Sequence, residues 1–182
     1  MQKVKEVETK PKKVKAKKNS AVRVLGIDPG YGRMGFGLIE ETGGNFKTLD
    51  YGCFETPKNE SAGSRLLEIK IFLDNYIEKN KPEVVGVETL FFSKNVKTAL
   101  QVGEARGVIL LSVAEKNISL FEVSPQQVKM AVTGYGAAKK EQMQKMVKTI
   151  LGLKEIPKPD DAADGLAVAI AAAQIRKFFI KL

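Results

Sequence analysis

Residues 22–40 read VRVLGIDPGYGRMGFGLIE. Val22, Val24, Leu25 and Ile27 form a β-rich apolar run that stops at a single carboxylate, Asp28. Pro29-Gly30 follow at once and end any extended pairing, and apolar residues resume from Met34 to Ile39 between small glycines. This pattern predicts a strand, a tight turn and a returning strand. A carboxylate at the end of a buried strand is costly unless another group or an ion offsets its charge.

Working outward, the second strand is expected over Arg33–Glu41 and the third over Phe46–Glu55, with Thr42-Gly43-Gly44-Asn45 as the hairpin turn between them. Leu66, Ile69, Leu73 and Tyr76/Ile77 recur on one face and predict a helix over Gly63–Lys79. Val84–Glu88 reads as a short buried strand that again ends in a carboxylate, followed by a helix over Val96–Glu115 and a strand over Ile118–Val123. Ser124-Pro125 start a helix as N-cap and first residue, running to about Val132. After a loop at Thr133–Gly136, helices are expected over Lys139–Leu151 and Asp160–Phe179, the last rich enough in Ala, Val and Ile to be largely buried. The order βββαβαβααα predicts an α/β domain over 22–182. It has a five-stranded mixed sheet, a three-strand antiparallel meander plus two parallel strands, flanked by helices. Active groups in such sheets gather at the carboxyl ends of strands, so Asp28 and Glu88 meet if their strands are neighbours.

Charge is unevenly placed. The 182-residue chain carries a net +9, yet residues 1–20 alone hold eight lysines against Glu6 and Glu8. Residues 1–21 are expected to be a disordered Lys-rich tail, either a basic arm on phosphates or a merely solvated one. The chain has no histidine, which excludes Ser-His-Asp and Cys-His nucleophile systems and His-based zinc sites. The single Cys53 allows no internal disulfide and fits a reducing, cytoplasmic location; no secretory signal or membrane-spanning run is evident.

The last helix adds Asp160, Asp161 and Asp164. Spacing of three puts Asp161 and Asp164 on a shared face, whereas Asp160 is expected to point elsewhere and complement the helix dipole. Asp28, Glu88, Asp161 and Asp164 could then converge. Four carboxylates packed together repel one another and call for raised pKa values or cations. Hard divalent ions with oxygen ligands, Mg²⁺ or Mn²⁺, suit them best, and two such ions can drive phosphodiester cleavage without histidine.

Four blocks carry a resemblance: GIDPGYGRMGFGLIE, VETLFFSKNVKTALQVGEARGVIL, SPQQVKMAVTGYGAAKKEQMQKMV and PDDAADGLAVAIAAA. In this order they resemble the RuvC family of crossover (Holliday) junction endodeoxyribonucleases, from Val22 to about Ile175. The resemblance implies an RNase H-like fold and catalytic, metal-ligating carboxylates at Asp28, Glu88, Asp161 and Asp164, with two Mg²⁺ per site and Mn²⁺ as a substitute. It puts Phe91 against bases near the junction centre and Lys129 and Lys140 near the scissile phosphate. Lys94, Asn95 and Lys97 open a helix whose N-terminus favours phosphate. The family resemblance also implies a homodimer acting on four-way junction DNA by two symmetric nicks, with a branch-migration motor as partner, at the bacterial nucleoid. Gly103 and Gly107 allow close backbone approach, either of the helix to its own sheet or across a dimer seam. Gly165, where the family usually has Ala, is expected to loosen the last helix locally, at about 1 kcal/mol.

Three other readings stay open from the residues. One is an RNase H-like nuclease for RNA–DNA hybrids or structured RNA. Another is a phosphotransferase of the actin-like ATPase type, although such proteins need two lobes. The third is a junction-binding protein without catalysis.

Overall fold

The computed structural model describes residues 20–90 and 96–180, so Phe91, Lys94, Asn95 and most of the Lys-rich tail lie outside the described residues. Ten elements follow the expected order: β1 (Val22–Asp28), β2 (Arg33–Thr42), β3 (Asn45–Glu55), α1 (Ala62–Asn80), β4 (Val84–Glu88), α2 (Val96–Glu115), β5 (Ser119–Val123), α3 (Pro125–Thr133), α4 (Lys140–Ile150) and α5 (Asp160–Ile180). Boundaries differ from the sequence reading by one residue at most ends. Local chemistry accounts for several of them. Ser61 caps α1 by accepting from the Ser64 amide, and Ser124 and Gln127 close a reciprocal capping box on α3. Gly43 and Gly44 turn the β2–β3 hairpin with positive φ, a conformation that side chains resist.

The sheet order is β3-β2-β1-β4-β5. β1 is central, antiparallel to β2 and parallel to β4, and β4 is parallel to β5. Alternation along β1 divides the core in two. Val22 and Val24 face α3, α4 and α5, whereas Leu25 and Ile27 face α1 and α2 with Ile69, Leu73 and Ile109. Among the described residues no helix is long and apolar enough to cross a membrane.

Helix α5 lies unusually close to the sheet. A Cβ on Gly26 would stand 2.1 Å from the Ala169 nitrogen, and one on Gly165 would stand 2.5 Å from the Phe36 carbonyl carbon. Gly165 is therefore a contact point with β2, a role that helix propensity alone does not reveal. The small residue trades helix propensity for seating. Gly26→Ala is expected to destabilise the fold by about 2 kcal/mol through overpacking, read as a fall in thermal or denaturant midpoint.

The glycines of α2 differ. A Cβ on Gly103 would make only an ordinary 3.9 Å contact with Leu90, and one on Gly107 would meet nothing within 4 Å. Close helix-on-sheet packing is thus not what these two glycines serve.

Candidate active site at the carboxyl ends of β1 and β4

The β1–β4 register pairs Gly26 with Gly86 and Ile27 with Val87. One step further along both parallel strands stand Asp28 and Glu88, so the two strand-end carboxylates are neighbours by register alone. The two carboxyls stand close enough to act directly on each other's ionisation. Burial pushes both carboxyls well above the ordinary range, and the negative charge of Asp164 raises both further.

The pair lies in a cleft of about 560 Å³ whose lining also includes Lys129, Lys139, Lys140 and Asp164. The capping box puts α3 at the carboxyl end of β5, and Lys129 projects from its second turn toward Glu88, whose negative charge it favours. Lys140 is the first residue of α4. Its ammonium stands 3.1 Å from Asp164 and 3.5 Å from Asp160. Burial raises the Asp164 carboxyl, while the Lys140 contact works against that rise.

The three N-terminal aspartates of α5 divide differently from the sequence expectation. Asp160 and Asp164 share Lys140, so Asp160 does not point elsewhere. Asp161 pairs with Arg33 at 2.8 Å instead and is not part of the cleft lining. Spacing of four turns the helix by about 40°, and spacing of three by about 60° in the opposite sense. Asp160 and Asp164 are the closer pair in angle. Among the described residues no three acidic or cysteine side chains are gathered as a ready-made metal cage. Side-chain cations hold Asp161 and Asp164 instead.

The model of the family described as crossover junction endodeoxyribonuclease RuvC matches residues 24–172. The chain belongs to the RuvC family. Its match to the RuvC of Caldicellulosiruptor saccharolyticus is 54% identical over 150 residues, covering 82% of this chain and 90% of that protein. The RuvC of Petrotoga mobilis is 51% identical, covering 86% of this chain and 96% of that protein. Among solved structures, Thermus thermophilus RuvC superposes with a TM-score of 0.80 at 34% identity, over 87% of this chain and 98% of that one. The same protein in complex with a Holliday junction substrate gives 0.79 at 32% identity, over 86% of this chain and 96% of that one. The yeast mitochondrial Holliday junction resolvase Ydc2, at 18% identity over 91% of this chain and 88% of that one, has a TM-score of 0.63 and shares the fold. These likenesses confirm the expected RNase H-like sheet in its RuvC form.

Two cationic side chains beside the RuvC-type cleft were not singled out from the sequence: Arg33 and Lys139. Arg33 follows Asp28 by five residues and opens β2, so the turn that ends β1 returns a cation to the site's edge. The signal was present, since a lone arginine at the start of a glycine-rich apolar strand has to point out of the core. Lys139 precedes Lys140 at the N-cap of α4, and its backbone amide donates to the Gln142 Oε1.

Proposed function

We infer that this chain is a crossover junction endodeoxyribonuclease that resolves four-way DNA junctions by paired symmetric nicks in recombination and repair. The observation that supports this most is the acidic cleft at Asp28, Glu88 and Asp164, walled by lysines, within a chain whose family is RuvC. Acid groups at the centre suit metal, and the basic rim suits a polyanion.

The donor set fits hard divalent ions. It is all carboxylate oxygen, without nitrogen or sulfur, and burial pushes two of its members above the ordinary carboxylate range. Asp28, Glu88, Asp161 and Asp164 would hold the ions, Mg²⁺ with Mn²⁺ as substitute. When bound, such ions supply an acidified water and stabilise the leaving oxygen of a phosphodiester. Lys129, fixed by the α3 cap, presents positive charge to a phosphate in the cleft. Lys140, free to exchange Asp164 for a phosphate oxygen, orients the strand there. Phe91 offers a ring to an unpaired base, and Lys94 and Asn95 hold phosphates near the start of α2. The Lys-rich first 20 residues add contacts to phosphate that do not depend on sequence.

A two-fold junction calls for two sites, and we assign the dimer seam to α2. Leu100, Gly103, Gly107 and Leu111 fall on one stripe of the helix, with Leu100 67% and Leu111 51% exposed. This stripe supports a homodimer at an apolar surface with little side-chain bulk. A branch-migration motor is the expected partner, at the bacterial nucleoid.

The test is cleavage of a synthetic four-way junction as Mg²⁺ or Mn²⁺ is titrated, beside linear duplex and RNA–DNA hybrid. Paired symmetric nicks in the junction at least ~10²-fold faster than in either control are expected. Preferred cleavage of the hybrid, or junction binding without cutting in either metal, would overturn the reading.

A further inference from the structure

Asp161 stands apart from the other three carboxylates because Arg33 holds it. The Arg33 Nη2 lies 2.8 Å from Asp161 Oδ2, and Arg33 Nε lies 3.6 Å from Glu55 Oε1. Arg33 and Glu55 are direct partners in the β2–β3 register, so the guanidinium is anchored on the outer half of the sheet while it reaches across to α5. The backbone of Asp161 is fixed as well. A Cβ on Gly35 would stand 2.0 Å from the Asp161 carbonyl oxygen, so the first turn of α5 is seated on β2 and is not free to slide. Asp161 can therefore reach or leave the cleft only by rotating its side chain, and Arg33 occupies one of those rotations.

We propose that Arg33 is a positioning residue that keeps Asp161 out of the ligand set until a divalent ion displaces it. This rests on the reading of the carboxylates as metal ligands. The Arg33 side chain is 48% exposed and that of Asp161 28%, and an ion pair this open to water is weak enough for an ion to break. Its cost is subtracted from metal affinity, so Arg33 sets the metal concentration at which the fourth carboxylate joins the site. The arrangement pairs the fourth carboxylate with a cation of this chain's own.

The test uses the full chain and Mn²⁺ alone, with free Mn²⁺ read from its electron paramagnetic resonance signal. Arg33→Gln is expected to tighten Mn²⁺ binding about three- to fivefold. Arg33→Lys, which keeps a cation beside Asp161, should restore most of the wild-type affinity. In an Asp161→Asn background Arg33→Gln should change nothing, because the partner through which it acts is gone. Weaker Mn²⁺ binding by Arg33→Gln, unchanged binding, or equal tightening in both backgrounds would each overturn the proposal. The last result would mark a general field of charge rather than a specific hold. Asp28→Asn separates this failure from a failure of the metal-ligand reading. An Mn²⁺ isotherm unaffected by Asp28→Asn removes the ligand set and this proposal together. An isotherm that depends on Asp28 but not on Arg33 removes only the proposal.

Discussion

Asp28→Asn is expected to lower the rate of junction cleavage by at least ~10³-fold while leaving junction affinity within about threefold of wild type. Asparagine keeps the shape of the side chain, so the turn at Pro29-Gly30 and the seat of α5 are undisturbed. What it removes is a negative oxygen at the centre of the cleft, beside Glu88 and Asp164. A loss of 10³ corresponds to about 4 kcal/mol of transition-state stabilisation, a reasonable size for one ligand to an ion that must activate water. On the proposed reading junction binding rests on lysines and on surfaces away from Asp28, and a less negative cleft does not repel DNA more. Gel-shift and single-turnover cleavage on the same junction check both halves. Full residual cleavage would sink the assignment of Asp28 to metal.

The second large effect concerns pH. In the chain without metal, burial pushes Asp28 from its ordinary 3.8 up to about 7 and Glu88 from 4.5 up to about 8; the charge of Asp164 adds to both rises, and that of Asp28 adds to the rise of Glu88. The folded state therefore keeps protons that the unfolded chain has already released. Stability from this pair is fully present below the ordinary carboxylate range and is lost as pH rises through the folded values. Between about pH 5 and pH 8 in chelator, unfolding free energy is expected to fall by on the order of 3 kcal/mol, the pair titrating as a unit. Asp74 has the opposite sign; desolvation works to raise it, but its bond to Lys70 holds it lower. Its contribution is complete at the start of that window. Urea titrations across the range check the slope. Asp28→Asn should flatten it, and saturating Mg²⁺ should restore stability at the alkaline end. A stability that rises from pH 5 to pH 8 would contradict the buried pair.

Much of this architecture is legible in residues 22–40 and their echo at Val84–Glu88. Both strands are apolar runs that stop at a carboxylate, and parallel neighbours stop at the same level, so adjacency of Asp28 and Glu88 follows from pattern plus topology. The N-terminal aspartates of α5 were harder. Helical spacing tells which side chains share a face, but not which cation on another element claims one of them, and Arg33 and Lys140 come from β2 and α4. Gly165 shows the same limit. Propensity speaks only of the helix it sits in, whereas the reason for the missing side chain is the Phe36 backbone on a strand about 130 residues earlier. Gly103 and Gly107 had two readings from sequence, and the space around them weakens the intramolecular one.

The seat of α5 on β1 and β2 also constrains how such a chain can diverge or be recombined. Gly26 and Ala169, Gly35 and Asp161, Gly37 and Leu166 meet backbone to backbone, with no side chain between to absorb a change. A larger residue on the strand has no compensating trim available on the helix, because the helix presents main chain there. Drift at these positions is blocked singly and in pairs alike. Chimaeras that join the first half of one relative to the last helix of another should therefore tolerate wide differences on the outer faces of α1 and α2. They should fail wherever this seam is not already bare.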